Sequence, residues 1–222
     1  MHLIQRGRFK LLFTDSSLDL NWRSLPPDLC RRNWNRVKSI LDVDPLRIAY
    51  LTQIHSSTVR EVKSWGYQGP GDGLLTFKDG VALVVLVADC LPILMFDSTS
   101  GFCGALHCGW RPLSKGIIEE ALKKAKSRGV KPENLEVFLG PCAGPCCYQV
   151  GLEFRKIFPP DVLTEHEGSL RLDIKRFARI SLESAGVKSI YELNVCTICH
   201  TEYFSYRRNL TRSRQAGIIL KC

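Results

Sequence analysis

The sequence predicts an α/β (α+β) fold, a single domain over residues 1–222 with a mixed central β-sheet flanked by helices. Three observations predict it. A continuous β-branched run, Val81 to Val87, reads as a strand buried on both faces. Leu113, Ile117, Ile118, Ala121, Leu122 and Ala125 recur at helical spacing, with Lys and Glu on the other face. Strands and helices mix without strict βαβ alternation and without internal repeats. At 222 residues, 45% of them hydrophobic, the chain can bury one sizeable core but not two comfortable ones.

In chain order, residues 1–45 carry a turn near Pro26-Pro27 followed by a helix. Leu46 to Gln53 reads as a strand that delivers His55 to its end. Gly66 to Gly73 is glycine-rich loop, closing on Asp72-Gly73. Beyond the Val81 run, Pro92 interrupts the chain and leaves Ile93 to Phe96 as a short strand. Phe102 to Leu106 is a strand ending in His107, and one helix then carries the Leu113–Ala125 stripe to a Gly129 cap. Leu135 to Leu139 is a strand, a helix starts near Gln149, and another covers Asp173 to Ala185 with Gly186 as its cap. Ile190 to Leu193 and Ala216 to Leu220 are the last strands.

Composition excludes several classes. The longest apolar run, Val81 to Ala88, is far short of the roughly 20 residues that span a bilayer. No signal-peptide core or cleavage site follows the basic N-terminus, so a cytoplasmic protein is expected. The ten cysteines lack the spacing of a secreted scaffold and read as mostly reduced thiols. The formal charge of +9 fits either a nucleic acid or an anionic small substrate. Its basic residues are scattered and no nucleic-acid reader motif is present, so the small anion is the expected partner.

Three residues share one context: His55 follows one strand, Cys90 ends the next, and His107 ends a third. Strand ends converge on one edge of a sheet, where α/β proteins place their ligands. Two imidazoles and a thiolate suit zinc, and three protein ligands leave a catalytic position open. Spacing alone leaves open a core cysteine with two hydrogen-bonded histidines. Arg111 lies at the helix start beyond His107, and reads either as a phosphate contact or, by sequence alone, as a surface arginine capping nothing. Asp89, beside Cys90, reads either as a residue orienting a ligand or as a strand-end turn residue. Cys142-x3-Cys146-Cys147 and Cys196-x-x-Cys199-His200 leave three readings open: a structural zinc, a redox pair, or thiols merely near one another.

Six ordered segments resemble one family: QIHSSTV (Gln53–Val59), DGLLT (Asp72–Thr76), ADCLPILMFD (Ala88–Asp97), GALHCGWR (Gly104–Arg111), LGPCAGPCCYQVG (Leu139–Gly151) and CTICHTEYFSYRRN (Cys196–Asn209). Together they look like the YfiH/DUF152, or laccase-domain polyphenol oxidoreductase, family, from about residue 46 to the C-terminus. The resemblance implies one α/β domain with a mixed sheet and places His55, Cys90 and His107 on the family's zinc positions. It also implies phosphorolysis of adenosine, inosine and 5′-methylthioadenosine, with adenosine deamination alongside. Three departures stand out. Cys108 and Pro112 replace small residues, Gln149 replaces a carboxylate expected near a substrate hydroxyl, and the segment before residue 46 is short.

The expected enzyme therefore binds Zn2+ (Cu2+ being the alternative) through His55, Cys90 and His107, which also serve catalysis. Arg111, Asp89 and Gln149 are its expected substrate contacts. Its partners are a purine nucleoside and phosphate, and the chain is expected to be a monomer or weak homo-oligomer. Two other readings compete: a peptidoglycan-precursor editing amidase using Cys90 and His107, and a copper-dependent polyphenol oxidase. Five histidines in the chain are too few for a multicopper centre.

Overall fold

The apolar run at Ala82–Val87 is a strand buried on both faces because it lies between two packed layers. The computed structural model describes residues 1–222. One six-stranded sheet runs in the order His2–Arg6, Phe9–Phe13, Gln215–Lys221, Ala82–Val87, Ile48–Thr52, Gly66–Pro70. The second six-stranded sheet runs Ser189–Glu192, Glu136–Leu139, Leu91–Asp97, Phe102–Cys108, Gly73–Thr76, Val59–Glu61. Both are mixed: Ile48–Thr52 is parallel to its two neighbours, while Gln215–Lys221 is antiparallel to both of its own. A small three-stranded sheet is built from Gln149–Val150, Ser169–Leu172 and Leu163–His166.

Alternation along the strands sets the layers. Leu83 and Val85 face the second sheet in a cluster with Phe13, Leu94, Phe96 and Ile219. Across this interface the Phe9 and Phe96 rings stack at 4.3 Å. The alternate residues Ala82, Val84 and Leu86 meet Val37 and Leu41 of the Pro27–Leu41 helix. On the far side, Ile93, Met95 and Leu106 pack on Ile118, Leu122, Ala178 and Leu182, from the helices Ile117–Ser127 and Ile174–Ser184. The order is helix, sheet, sheet, helix. No helix is long and apolar enough to cross a membrane.

Four expected elements differ. Gly66–Pro70 is an edge strand, paired in parallel with Ile48–Thr52, where a loop was expected. Leu91–Asp97 is continuous through Pro92, which sits second in the strand opposite His107 and so interrupts little of the ladder. The stripe after His107 is divided between the helices Trp110–Ser114 and Ile117–Ser127 by Gly116, whose φ of 76° ends the first. The helix expected near Gln149 is absent: Gln149–Val150 is a short strand, followed by a 3₁₀ turn at Leu152–Lys156. Gly151 is extended there, and Tyr148 accepts the backbone N–H of Leu172, which ties the segment to the small sheet.

Candidate active site

The chain leaves the first sheet after Val87 and enters the second at Leu91, so Ala88-Asp89-Cys90 is the crossing between them. His107 lies in the Phe102–Cys108 strand opposite Pro92, and His55 lies in the loop after Ile48–Thr52. These three strand ends meet at one edge of the sandwich. The ligating atoms of His55, Cys90 and His107 all lie within 4.8 Å of one another.

Asp72 organises the group. Its carboxylate accepts the backbone N–H of His55 (3.0 Å) and Ser56 (2.6 Å), and the Ser56 hydroxyl (2.8 Å). It also accepts Nδ1–H of His107 at 2.8 Å. Those bonds hold the His55 loop, where His55 itself has φ 57°, and fix the His107 ring so that Nε2 is the free nitrogen. Burial opposes ionisation of Asp72, but the bonds from His107 and Ser56 outweigh it and hold its carboxyl at about 2. Gln53 clamps the same loop to the Ala82–Val87 strand, its amide donating to the Leu86 carbonyl (2.7 Å) and accepting the Leu86 N–H (2.8 Å).

Charge follows from that packing. Burial alone would raise the Cys90 thiol, yet the neighbouring His107 and His55 rings bring it well below its ordinary range. Burial alone would lower His107, yet Cys90 and Asp72 raise it. Both shifts favour the charged forms, a thiolate beside an imidazolium. Gly109 supplies the room: a Cβ there would lie 2.8 Å from Cys90 Sγ and 3.5 Å from the His55 ring. A soft thiolate, two imidazoles oriented by a carboxylate, and space in front of them make a donor set that fits one zinc or copper ion. The other histidines stand apart: His2 bonds Tyr203, and His166 and His200 lie beside Glu167 and Glu202 on the surface. One ion, not four, is what the imidazoles can hold.

The three donors line a cleft of about 500 Å³. Asp89, Arg111, Tyr148, Arg207 and Arg214 line it too, and Trp22 and Arg23 close it from the N-terminal segment. Arg111 lies over the Trp110 ring at 4.3 Å, and Arg207 over Tyr148 at 5.1 Å. The ion pairs made by arginines involve other residues, so these guanidiniums face the cleft without carboxylate partners. Burial pushes the Tyr148 phenol up to about 12.

Of the expected site residues, His55, Cys90, His107, Arg111 and Asp89 come together. Gln149 does not: it is exposed, outside the cleft lining, and its amide donates to Ser169. Asp89 has φ 85°, and its carboxylate accepts the Thr197 hydroxyl (2.7 Å) and the Arg207 N–H (2.6 Å). It holds the Arg207 loop; Asp72, not Asp89, orients a donor. Cys108 is buried in the apolar cluster with Leu91 and Leu113, so this departure leaves the cleft wall untouched. Sequence reasoning missed Asp72, Gln53, Tyr148, Arg207 and the Trp22–Arg23 wall. A charged residue between Gly71 and Gly73 was the available signal for Asp72.

The family model for multi-copper polyphenol oxidoreductase laccase matches residues 16–222. A purine nucleoside phosphorylase of Corynebacterium glutamicum is 32% identical over 201 residues, 87% of this chain and 82% of that protein. The Escherichia coli purine nucleoside phosphorylase YfiH is 31% identical over 87% of this chain and 81% of its own length. Among solved structures, a Neisseria meningitidis protein of family DUF152 superposes with a TM-score of 0.86 at 26% identity, covering 100% of this chain and 99% of its own. YlmD of Geobacillus stearothermophilus gives 0.86 at 27%, covering 99% and 98%.

Proposed function

The chain belongs to the multi-copper polyphenol oxidoreductase laccase family, that of YfiH and DUF152, and we propose that it is a zinc-dependent purine nucleoside phosphorylase. It cleaves adenosine, inosine and 5′-methylthioadenosine with phosphate to free base and (methylthio)ribose 1-phosphate, and it deaminates adenosine alongside. The observation that carries this reading is one cleft that joins the His55, Cys90 and His107 donors to guanidiniums without carboxylate partners and to aromatic faces. Relatives bearing the phosphorylase name, 31% or more identical, support it.

Phosphorolysis forms a bond from a phosphate oxygen to the anomeric carbon as the bond from that carbon to the purine nitrogen breaks. The purine leaves with a proton on a ring nitrogen. Arg111 and Arg207 present planar donor forks to the phosphate and hold it near the sugar. The Tyr148 and Trp22 rings offer faces for the base, and the Tyr148 phenol stays protonated and able to donate. His55, Cys90 and His107 would hold the zinc, which would supply a Lewis acid when bound. Asp72 keeps the His107 ring in the orientation that binding requires.

Supplied with inosine and phosphate, the zinc-loaded protein releases hypoxanthine and ribose 1-phosphate, and release stops when phosphate is omitted. Base release indifferent to phosphate overturns the reading. One observation favours a second: Cys90, His107 and Asp72 stand in the order nucleophile, base, orienting acid. A thiol amidase of that kind keeps its activity when metal is stripped and loses it to alkylation.

A further inference from the structure

A second group of metal-binding side chains lies outside the cleft and plays no part in phosphorolysis. The sulfurs of Cys146, Cys147, Cys196 and Cys199 all lie within 4.8 Å of one another. Cys147 and Cys199 are 3.0 Å apart, Cys146 and Cys199 3.4 Å. An ideal tetrahedron around zinc, with sulfurs at about 2.3 Å from the metal, sets them about 3.8 Å apart. We propose that these four thiolates hold a structural zinc ion.

The backbone is shaped for it. Gly144 donates its N–H to Cys196 Sγ at 3.2 Å, and a turn from Gly144 to Tyr148 projects Cys146 and Cys147 toward it. The facing loop turns back at His200, whose N–H bonds the Cys196 carbonyl, and so brings Cys199 beside Cys196. A bridge between Cys142 and Cys196 joins the two loops. A Cβ at Gly144 would come 3.0 Å from Cys196 Cβ, tighter than ordinary contact, and would touch the Cys146 and Cys196 sulfurs at 3.4 Å, so glycine keeps this approach free. Four thiolates around one zinc carry a net double negative charge. Arg171 donates to the Cys146 carbonyl, and Arg208 to the carbonyls of Thr197 (2.9 Å) and Ile198 (3.1 Å), which places two guanidiniums beside that charge.

All four donors are protein sulfurs, so no coordination position is left for a substrate, which is the mark of a structural site. The ion is a clasp. It joins loops about fifty residues apart in sequence, one carrying Tyr148 directly after Cys147 and the other leading to Arg207. Those two residues face each other across the cleft wall. The clasp thus fixes a wall of the cleft without touching the reaction.

Metal analysis of the purified, zinc-supplemented full chain tests this independently of any activity. Wild type contains two zinc ions per chain, Cys199→Ser contains one, and Cys90→Ala contains one. X-ray absorption of the ion left in Cys90→Ala shows four sulfur neighbours and no nitrogen, while Cys199→His, which keeps a ligand, retains both ions. Because Cys199 is exposed, its serine variant is expected to fold; the Cys90→Ala spectrum decides the matter if it does not. A single zinc that Cys199→Ser retains and Cys90→Ala loses overturns the proposal, as does iron in its place or a disulfide among these cysteines in the native protein. None of those results bears on the phosphorolysis reading, which fails only at the cleft.

Discussion

The molecule carries two clusters of side chains able to hold a metal ion, built on opposite plans. At the cleft, donors from three strand ends are locked by a buried carboxylate, Asp72, and open toward arginines and aromatic rings. At the Cys146–Cys199 group, four sulfurs come from two loops, lie near the surface, and close around the space between them. The difference lies in donor count and surroundings, not in the metal. Three ligands and a cleft make a reactive centre, whereas four ligands make a joint.

The contrast can be broken hardest at Cys90. Cys90→Ala removes one of three donors, and losing several kcal/mol of charge stabilisation lowers kcat/KM by roughly a thousand-fold. Cys199→Ser, by contrast, is expected to leave the zinc at His55 and His107 in place. Steady-state kinetics with metal analysis of both variants measures the separation. Equal losses of activity would merge the two clusters into one functional unit.

Asp72→Asn comes next. It keeps the shape but weakens the hold on His107 and the His55 loop, and the expected fall is roughly 10–100-fold in metal affinity or activity. Competition with a chelator measures the affinity. Arg111→Ala then probes the cleft alone: KM for phosphate rises roughly tenfold, the loss of a hydrogen bond to a charged group, with zinc content unchanged.

The smallest effect is on stability. The Asp72 carboxyl is held near 2 when folded, against an ordinary value of 3.8. A depressed folded value stabilises above the unfolded one and loses that contribution as pH falls from about 4 toward 2. The contribution is about 2 kcal/mol. In the Cys90→Ala background, where cleft zinc is absent, denaturant midpoints with and without Asp72→Asn converge across that window. Parallel curves would leave Asp72 with no part in the acid sensitivity of the fold.

Much of this was legible from residues alone. Val81–Val87 and the Leu113–Ala125 stripe announce their burial, and strand-end placement together with the family resemblance pointed to His55, Cys90 and His107. What was hidden depends on contacts between distant segments. Asp72 looks like a turn residue until strand pairing between Gly73 and Leu106 sets it under His107. Arg207 and Asp89 are 118 residues apart and meet only because the C-terminal loop folds over the sheet crossing. Gln149 misled because local sequence cannot show that a short strand turns its side chain to Ser169. Trp22 and Arg23, in a segment without clear periodicity, reach the cleft through packing of Trp22 on Tyr50 and Trp34.

The most direct measurement tracks phosphorus. Wild-type and Cys90→Ala protein, each supplemented with zinc, are incubated with adenosine and inorganic phosphate, and ribose 1-phosphate is monitored by phosphorus NMR against release of free base. A zinc-dependent phosphorylase gives equal amounts of both products from wild type and neither from the variant. Ribose 1-phosphate formed by Cys90→Ala at the wild-type rate, or base released by wild type without it, would contradict that mechanism.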